Sequence, residues 1–218
     1  MPDNMPTNTQ ITSLPLTRTP AHPDAENAIR AAVRGAVSMG TENAVSRLAT
    51  VEDAEVFLEF LLDPSVSAPI YTLPTTLNIQ TVRAFIEDHI AEQARGDGLL
   101  FFNFDTEGNF GGYTDLCLWP QWSAGELGGA VHPRRQGQRN GVEGARLGFD
   151  WMFEALGLEV ICETAALDNI RTGRLLGTLG FHRVGQTTSR REDGTERGSL
   201  VWEITRAEWD AVHGPREG

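Results

Sequence analysis

The hydrophobic and polar residues of the chain follow two periods, and these periods predict the order of helices and strands. Apolar positions three and four residues apart predict helices at 24–38, 51–62, 79–93 and 142–156, with one more before Gly180 and a short one containing Trp209. Runs of β-branched and aromatic residues bounded by turn residues predict strands at 45–49, 99–104, 110–119, 126–131, 158–164, 181–188 and 198–204. Mostly consecutive strands with helices at several places predict a mixed α/β fold.

The chain of 218 residues is long enough for one domain with a buried core and a modest extension. We predict an N-terminal extension at 1–40, a single domain at 41–212 and a short tail at 213–218. Residues 1–23 are rich in Pro, Thr, Asn and Asp and are expected to be flexible. Residues 24–38 are expected to form a helix with Asp24 as its N-cap.

The chain is acidic, with a formal net charge of −12. Residues 1–40 contain three acidic and three basic side chains, so the excess belongs to the domain. This balance argues against a general nucleic-acid surface. An acidic face could attract a cationic amine, and acidity is also a common route to solubility.

The sequence predicts a cytoplasmic protein that binds neither membrane nor metal. No apolar run approaches the ~20 residues that a membrane span needs, and the N-terminus lacks a signal pattern. Cys117 and Cys162 have neither CxxC nor metal-type spacing, which fits a reducing compartment and two small core residues.

A cationic, glycine-bearing loop between a predicted strand and a predicted helix is the most informative segment. It begins at His132 and carries Arg134, Arg135 and Arg139. Such a loop presents backbone N–H groups and the positive end of the helix dipole to one point, where phosphate or pyrophosphate binds. The same composition also makes an ordinary solvated turn.

The residues around this loop resemble the acetyl-CoA-dependent GNAT acyltransferases, especially their RimJ/RimL branch. The shared features are a strand leading into His132-Pro133, Gly137 and Glu143, Asn169 with a hydroxyl residue three positions later, Leu179-Gly180-Phe181, and Glu208-Trp209. Upstream, residues 47–66 resemble the opening strand and first helix of that branch. The resemblance covers residues 44–212.

The resemblance implies the GNAT fold, a twisted mixed sheet of six to seven strands that splays after the strand ending at Val131, with about four flanking helices. It implies acetyl-CoA as co-substrate in the V-shaped opening and no metal. The implied cofactor-binding residues are Ala130, Val131, Arg134, Arg135, Gln136, Gly137, Gln138, Arg139, Asn140, Gly141, Asn169 and Thr172.

The implied reaction is direct attack of a neutral primary amine on the thioester in a ternary complex. Backbone N–H groups around Ala130 and Val131 would bind the oxyanion. Asn169 would orient the pantetheine, although it is also a good helix N-cap, and Thr172 would protonate the leaving thiolate. Glu126 is the expected proton acceptor, and a structural role for it stays open.

Three residues complicate these expectations. Arg139 replaces a small residue of the family loop, and its guanidinium would either reach the pyrophosphate or block it. Leu176 stands where many GNAT enzymes have a catalytic tyrosine. His89 is predicted to be a surface residue of its helix rather than a base.

The alternative to an enzyme is a degenerate GNAT domain that acts as an acyl-CoA-binding or regulatory module. An enzyme that acetylates aminoacyl-tRNA would need a basic face, against which the acidic balance argues. Protein N-termini, amino acids, polyamines and amine antibiotics all fit as acceptors, as does a hydroxyl. Dimers are common in the branch, so a homodimer also fits.

Overall fold

The structure is a computed structural model, and it describes residues 14–39, 45–135, 140–191 and 193–214. One mixed sheet of seven strands organises the described chain. The strands are β1 Val45–Leu48, β2 Gly98–Phe104, β3 Phe110–Trp119, β4 Ala124–Val131, β5 Val160–Ala166, β6 His182–Arg190 and β7 Glu196–Thr205. The predicted mixed sheet is confirmed.

Seven α-helices flank the sheet in the described residues, which exceeds the expected four. They are α1 Pro23–Gly35, α2 Ala54–Leu61, α3 Pro64–Ser67, α4 Ile79–Arg95, α5 Asn140–Ala155, α6 Ile170–Thr178 and α7 Arg206–His213. The four-residue α3 lies outside the predicted helices, because four residues are too few to show a helical period. Asp63 accepts from the N–H of Ser65 and caps this turn.

The sheet divides at its centre. Its order is β1-β2-β3-β4-β5-β7-β6, and all neighbours are antiparallel except β4 and β5. Those two parallel strands pair only at Ala124 with Val160 and at Gly125 with Ile161. Beyond these pairs the strands separate, so the predicted splay is confirmed and leaves a V-shaped opening.

Two hydrophobic clusters cover the two faces of the sheet. On one face α1 and α5 pack with Trp209 of α7 over the strands. On the other face α2 and α4 pack against β2 and β3, with an aromatic group centred on Phe57. We call this second side the α4 face. Tyr113 and Ala130 belong to the α4 face. Leu127 lies on the opposite side, which carries α1 and α5 and which we call the α5 face.

The N-terminal extension is part of the packed structure from residue 14 onward. Leu14 is only 2% exposed and packs with Cys162 and Val201. The backbone N–H groups of Leu16 and Thr17 donate to the buried Glu203 carboxylate at 2.6 and 3.1 Å. The expectation of a flexible segment is therefore wrong for residues 14–22, because these contacts hold it; residues 1–13 lie outside the described chain.

His89 lies in the interior, which corrects its predicted surface position. It is 7% exposed, its Nδ1 lies 2.8 Å from the Phe85 carbonyl oxygen and its Nε2 lies 3.1 Å from Asp115 Oδ1. Burial alone would lower the pKa of His89, but the charges of Asp115 and Glu92 outweigh it and raise the pKa to about 9. His89 is thus a buried cation paired with carboxylates.

Candidate active site

The Glu126 carboxylate fills the gap where β4 and β5 begin to separate. Its Oε1 accepts hydrogen bonds from the Thr164 backbone N–H at 3.0 Å and from the Thr164 hydroxyl at 2.6 Å. Its Oε2 has no donor within the described residues, and the residue is half-buried. One oxygen is therefore held by β5, while the other can accept a proton. We call this position the root of the opening.

The surroundings of Glu126 favour its neutral form. Burial raises the pKa of Glu126, and the negative charge of Asp115 on the neighbouring strand raises it further, although the Thr164 hydrogen bonds oppose both. A carboxyl group with a raised pKa is a better proton acceptor once it is ionised. The residue predicted as the base thus lies at the root with suitable electrostatics.

A second carboxyl group, Glu163 on β5, mirrors the first. It is buried and accepts the backbone N–H of Leu127 on β4 at 2.8 Å, so each strand sends one carboxyl group across the gap. Burial and the neighbouring charge of Glu126 raise the pKa of Glu163 well above its usual range. Glu163 was not among the predicted site residues. A charged residue inside an otherwise apolar strand is the feature of the sequence that could have indicated it.

Beyond the root, β4 exposes a nearly bare backbone edge. Gly128 and Gly129 are exposed, and at Gly129 a side chain would collide with the Tyr113 carbonyl oxygen at a φ of +129°. The N–H of Leu127 faces the opening, whereas that of His132 bonds to the Gly111 carbonyl of β3 at the other edge. Because N–H directions alternate along a strand, those of Gly129 and Val131 also face the opening.

The other wall of the opening ends at the start of α6. Asn169 is the N-cap of this helix, and its Oδ1 accepts the Thr172 backbone N–H at 3.1 Å. Asn169 therefore has the structural role of a helix cap. Its contact with pantetheine stays a prediction. Thr172 is half-buried, and Leu176 is 1% exposed in the core, so the position of the missing tyrosine is a packing position.

The cationic loop is described at its two ends. Arg134 is exposed, and Pro133–Arg135 form a short 3-10 turn after β4. Gln136, Gly137, Gln138 and Arg139 lie outside the described residues. The helix α5 begins at Asn140-Gly141, and its first turn is exposed from Gly141 onward. The predicted order of strand, loop and helix is present.

Glu143 belongs to a network of charged side chains on α5. Its carboxylate pairs with Arg146 one turn later at 2.7 Å, and Arg146 also pairs with Asp150 at 2.9 Å. Asp150 in turn accepts from the Trp209 indole at 2.8 Å. This chain of contacts joins α5 to α7.

The comparison with known families decides how this geometry is interpreted. The sequence profile of the acetyltransferase (GNAT) domain matches residues 45–182. The chain belongs to the GNAT acetyltransferase family. The matched region of this GNAT chain extends from β1 to the start of β6 and so includes both walls of the opening.

Solved structures of GNAT enzymes share the fold at low sequence identity. A ribosomal-protein-S5-alanine acetyltransferase from Vibrio fischeri has 18% identity and a TM-score of 0.64, over 80% of this chain and 99% of that one. RimJ of Mycobacterium smegmatis, solved with CoA-disulfide, has 21% identity and a TM-score of 0.64, over 76% and 83%. A spermidine N-acetyltransferase from Vibrio cholerae, solved with CoA and spermine, has 16% identity and a TM-score of 0.65, over 78% and 99%. No curated protein matches the GNAT chain.

The described residues contain neither a metal-binding cluster nor a membrane-spanning helix. Across residues 14–39, 45–135, 140–191 and 193–214, no group of three or more His, Cys, Asp or Glu side chains is arranged to hold a metal ion. Every helix in this part of the GNAT chain is too short or too polar to cross a membrane.

Proposed function

We propose that this GNAT chain transfers the acetyl group of acetyl-CoA to a primary amine in a ternary complex. The observation that carries the proposal is the Glu126 carboxyl group at the root of the opening, with Oε1 held by Thr164 and Oε2 without a donor among the described residues. A proton acceptor in that position is what attack by an ammonium-derived amine requires.

The residues of the opening fit a thioester arm. Gly128 and Gly129 carry no side chains on the exposed edge of β4, so an extended arm can lie against the backbone there. The exposed first turn of α5, after Arg134 and Arg135, would hold the pyrophosphate together with residues 136–141. Asn169 would contact the arm from the opposite wall.

Four groups of the chain would share the chemistry. Acetyl-CoA supplies the acetyl group as a thioester. Glu126 takes the proton that the amine loses as its nitrogen bonds to the acetyl carbon. The N–H groups of Gly129 and Val131 donate to the carbonyl oxygen as it becomes negative. The N–H groups of a strand point alternately to its two neighbours, so that of Ala130 points toward β3 rather than into the opening. The N–H of Gly129 therefore replaces that of Ala130 as a proposed oxyanion donor. Thr172 donates a proton to the sulfur as the carbon–sulfur bond breaks.

The RimJ/RimL branch, a cytoplasmic location and a homodimer complete the proposal. The branch is supported by the Asn169, Thr172 and Leu179-Gly180-Phe181 pattern and by the shared fold of the M. smegmatis RimJ structure. The free cysteines Cys117 and Cys162 fit a reducing compartment.

Release of free CoA thiol tests the reaction. Purified protein is mixed with acetyl-CoA and a panel of primary amines, and each reaction is compared with one that lacks the amine. Amine-dependent thiol release with formation of the N-acetyl product is expected. Binding of acetyl-CoA without turnover of any amine would contradict the enzyme proposal and leave a binding module.

A further inference from the structure

Two arginines meet around one tyrosine on the α4 face. The guanidinium carbons of Arg191 and Arg197 lie 4.1 and 4.0 Å from the centre of the Tyr71 ring. Arg191 donates to the carbonyl oxygens of Ala68 and Ile70, and Arg197 donates to that of Pro69. These contacts join the β6–β7 hairpin to the loop between α3 and α4. We call Tyr71, Arg191 and Arg197 the arginine cluster.

No carboxylate of the described residues forms an ion pair with the arginine cluster. Several other arginines pair with carboxylates, as Arg47 does with Asp53 and Arg190 with Glu196. Neither Arg191 nor Arg197 has a carboxylate within ion-pair distance in the described chain; Asp193 acts on Arg191, and Asp168 on Arg197, only from farther away. Burial and the neighbouring charge of Arg191 lower the pKa of Arg197. Two adjacent cations without an ion pair among the described residues favour the binding of an added anion.

Both guanidinium groups retain donors for such an anion. Among the residues that the structure describes, Nη1 of Arg191 and Nη2 of Arg197 have no hydrogen-bond acceptor and are not enclosed. Arg191 also lines a cavity of about 120 Å³ under residues 67–77. A planar guanidinium with a spare NH₂ group is well suited to a carboxylate.

The arginine cluster lies on the same face of the sheet as the Glu126 carboxylate. Val201 of β7 is opposite Thr164, whose hydroxyl donates to Glu126. Side chains two and four residues apart on a strand point to one face, so Arg197 shares this face with Val201. Four residues along β7 correspond to about 13 Å. Along the strand direction the cluster lies beyond the level of Thr164, at the end toward which β4 and β5 separate. We call this position the rim of the opening.

We propose that the arginine cluster binds a carboxylate of the acceptor, so that the amine substrate is a short peptide or amino-acid-like molecule with a negative group at its far end. The proposal rests on the acetyl transfer proposed above. Three extended residues span about 10 Å, which is comparable with the about 13 Å between the two positions along the strand direction. A short peptide is therefore the smallest acceptor that would approach both Glu126 and the cluster. Polyamines, with cations at both ends, would be repelled.

Matched acceptors test the proposal. Trialanine and trialanine amide have the same length and differ in charge far from the reacting amine. Acetyl transfer to each is measured with the natural protein, Arg197→Gln, Arg191→Gln and the control Arg190→Gln. Arg190 lies on the same hairpin but is exposed and pairs with Glu196. The control should behave as the natural protein.

The natural protein should show a KM for trialanine about tenfold lower than for its amide, and Arg197→Gln and Arg191→Gln should remove this preference. The kcat/KM for the amide should change little. Equal use of both peptides by the natural protein would overturn the proposal. An equal loss for both peptides in the variants would also overturn it, because it would mean that the arginines only hold the loop.

Calorimetric binding of N-acetyl-trialanine and its amide gives a measure that does not need turnover. Preferential, Arg197-dependent binding of the free acid would support the anion site even if no amine were acetylated, in which case only the proposed reaction would fail. Absence of any preference in binding would overturn the carboxylate site itself.

Discussion

The root and the rim of the opening have opposite electrostatic character. At the root, Glu126 and Glu163 are carboxyl groups with raised pKa values, each held by a backbone N–H of the opposing strand. At the rim, Arg191 and Arg197 surround Tyr71 without a carboxylate partner among the described residues. A carboxyl group with a raised pKa can exchange protons with a substrate, which acid–base catalysis requires. A guanidinium group keeps its positive charge, which suits the binding of an anionic group. In the proposed function, the root serves the reaction and the rim serves the selection of the acceptor.

Glu126→Gln gives the largest expected effect and tests the root. Glutamine can still accept from Thr164, so the strands should stay in place, but it cannot take a proton from the amine. We expect kcat to fall by about 10²- to 10⁴-fold with acetyl-CoA affinity unchanged. The kcat/KM of the natural protein should rise with pH as Glu126 ionises. Unchanged kcat in the variant would remove Glu126 from the reaction.

The pH dependence of stability tests the charge beneath the root. The pKa of His89 is raised from 6.5 to about 9, so its protonation stabilises the fold fully below pH 6.5 and progressively less as pH rises through 9. The contribution lost is roughly 3 kcal/mol. Thermal unfolding should show a decline between pH 6.5 and 9 that is absent in His89→Gln. Parallel curves would mean that His89 is neutral.

Gly128→Leu tests the space between root and rim. A Cβ at this position would have its nearest atoms at 3.6 and 3.8 Å, both from Asp115, so the backbone can accept it. The larger side chain would point to the same face as Glu126 and obstruct the acceptor. We expect the acceptor KM to rise about tenfold with an unchanged melting temperature. An unaltered KM would place the acceptor elsewhere.

Asn169→Ala should have the smallest effect. Loss of the α6 cap is expected to cost about 1 kcal/mol of folding free energy, measured by denaturant unfolding. If Asn169 also contacts pantetheine, the KM for acetyl-CoA should rise as well. The exposed neighbour Asp168 supplies the control variant Asp168→Ala. A change in stability alone would limit Asn169 to capping.

The sequence predicted local elements well because each depends on neighbouring residues. The strands β1 to β7 and the long helices α4 and α5 agree with the hydrophobic periods to within a few residues. The splay and the position of Glu126 came from family resemblance. Periodicity alone does not reveal a place where two parallel strands stop pairing.

The missed features all depend on partners distant in sequence. His89 appeared to lie on an exposed helix surface, but Asp115, 26 residues away, pairs with it in the interior. The N-terminal segment appeared flexible, but Glu203 holds it across 187 residues. Glu163 meets Leu127 across 36 residues. A one-dimensional pattern carries no information about these contacts.

Titration calorimetry with acetyl-CoA tests the central claim most directly. We expect one acetyl-CoA site per chain with a dissociation constant in the micromolar range, and we expect the Glu126→Gln variant to bind with the same affinity. An Arg139→Gly variant in the same series shows whether that arginine assists or obstructs the pyrophosphate. No heat of binding with the natural protein at millimolar acetyl-CoA would contradict the claim that this opening is a working acetyl-transfer site.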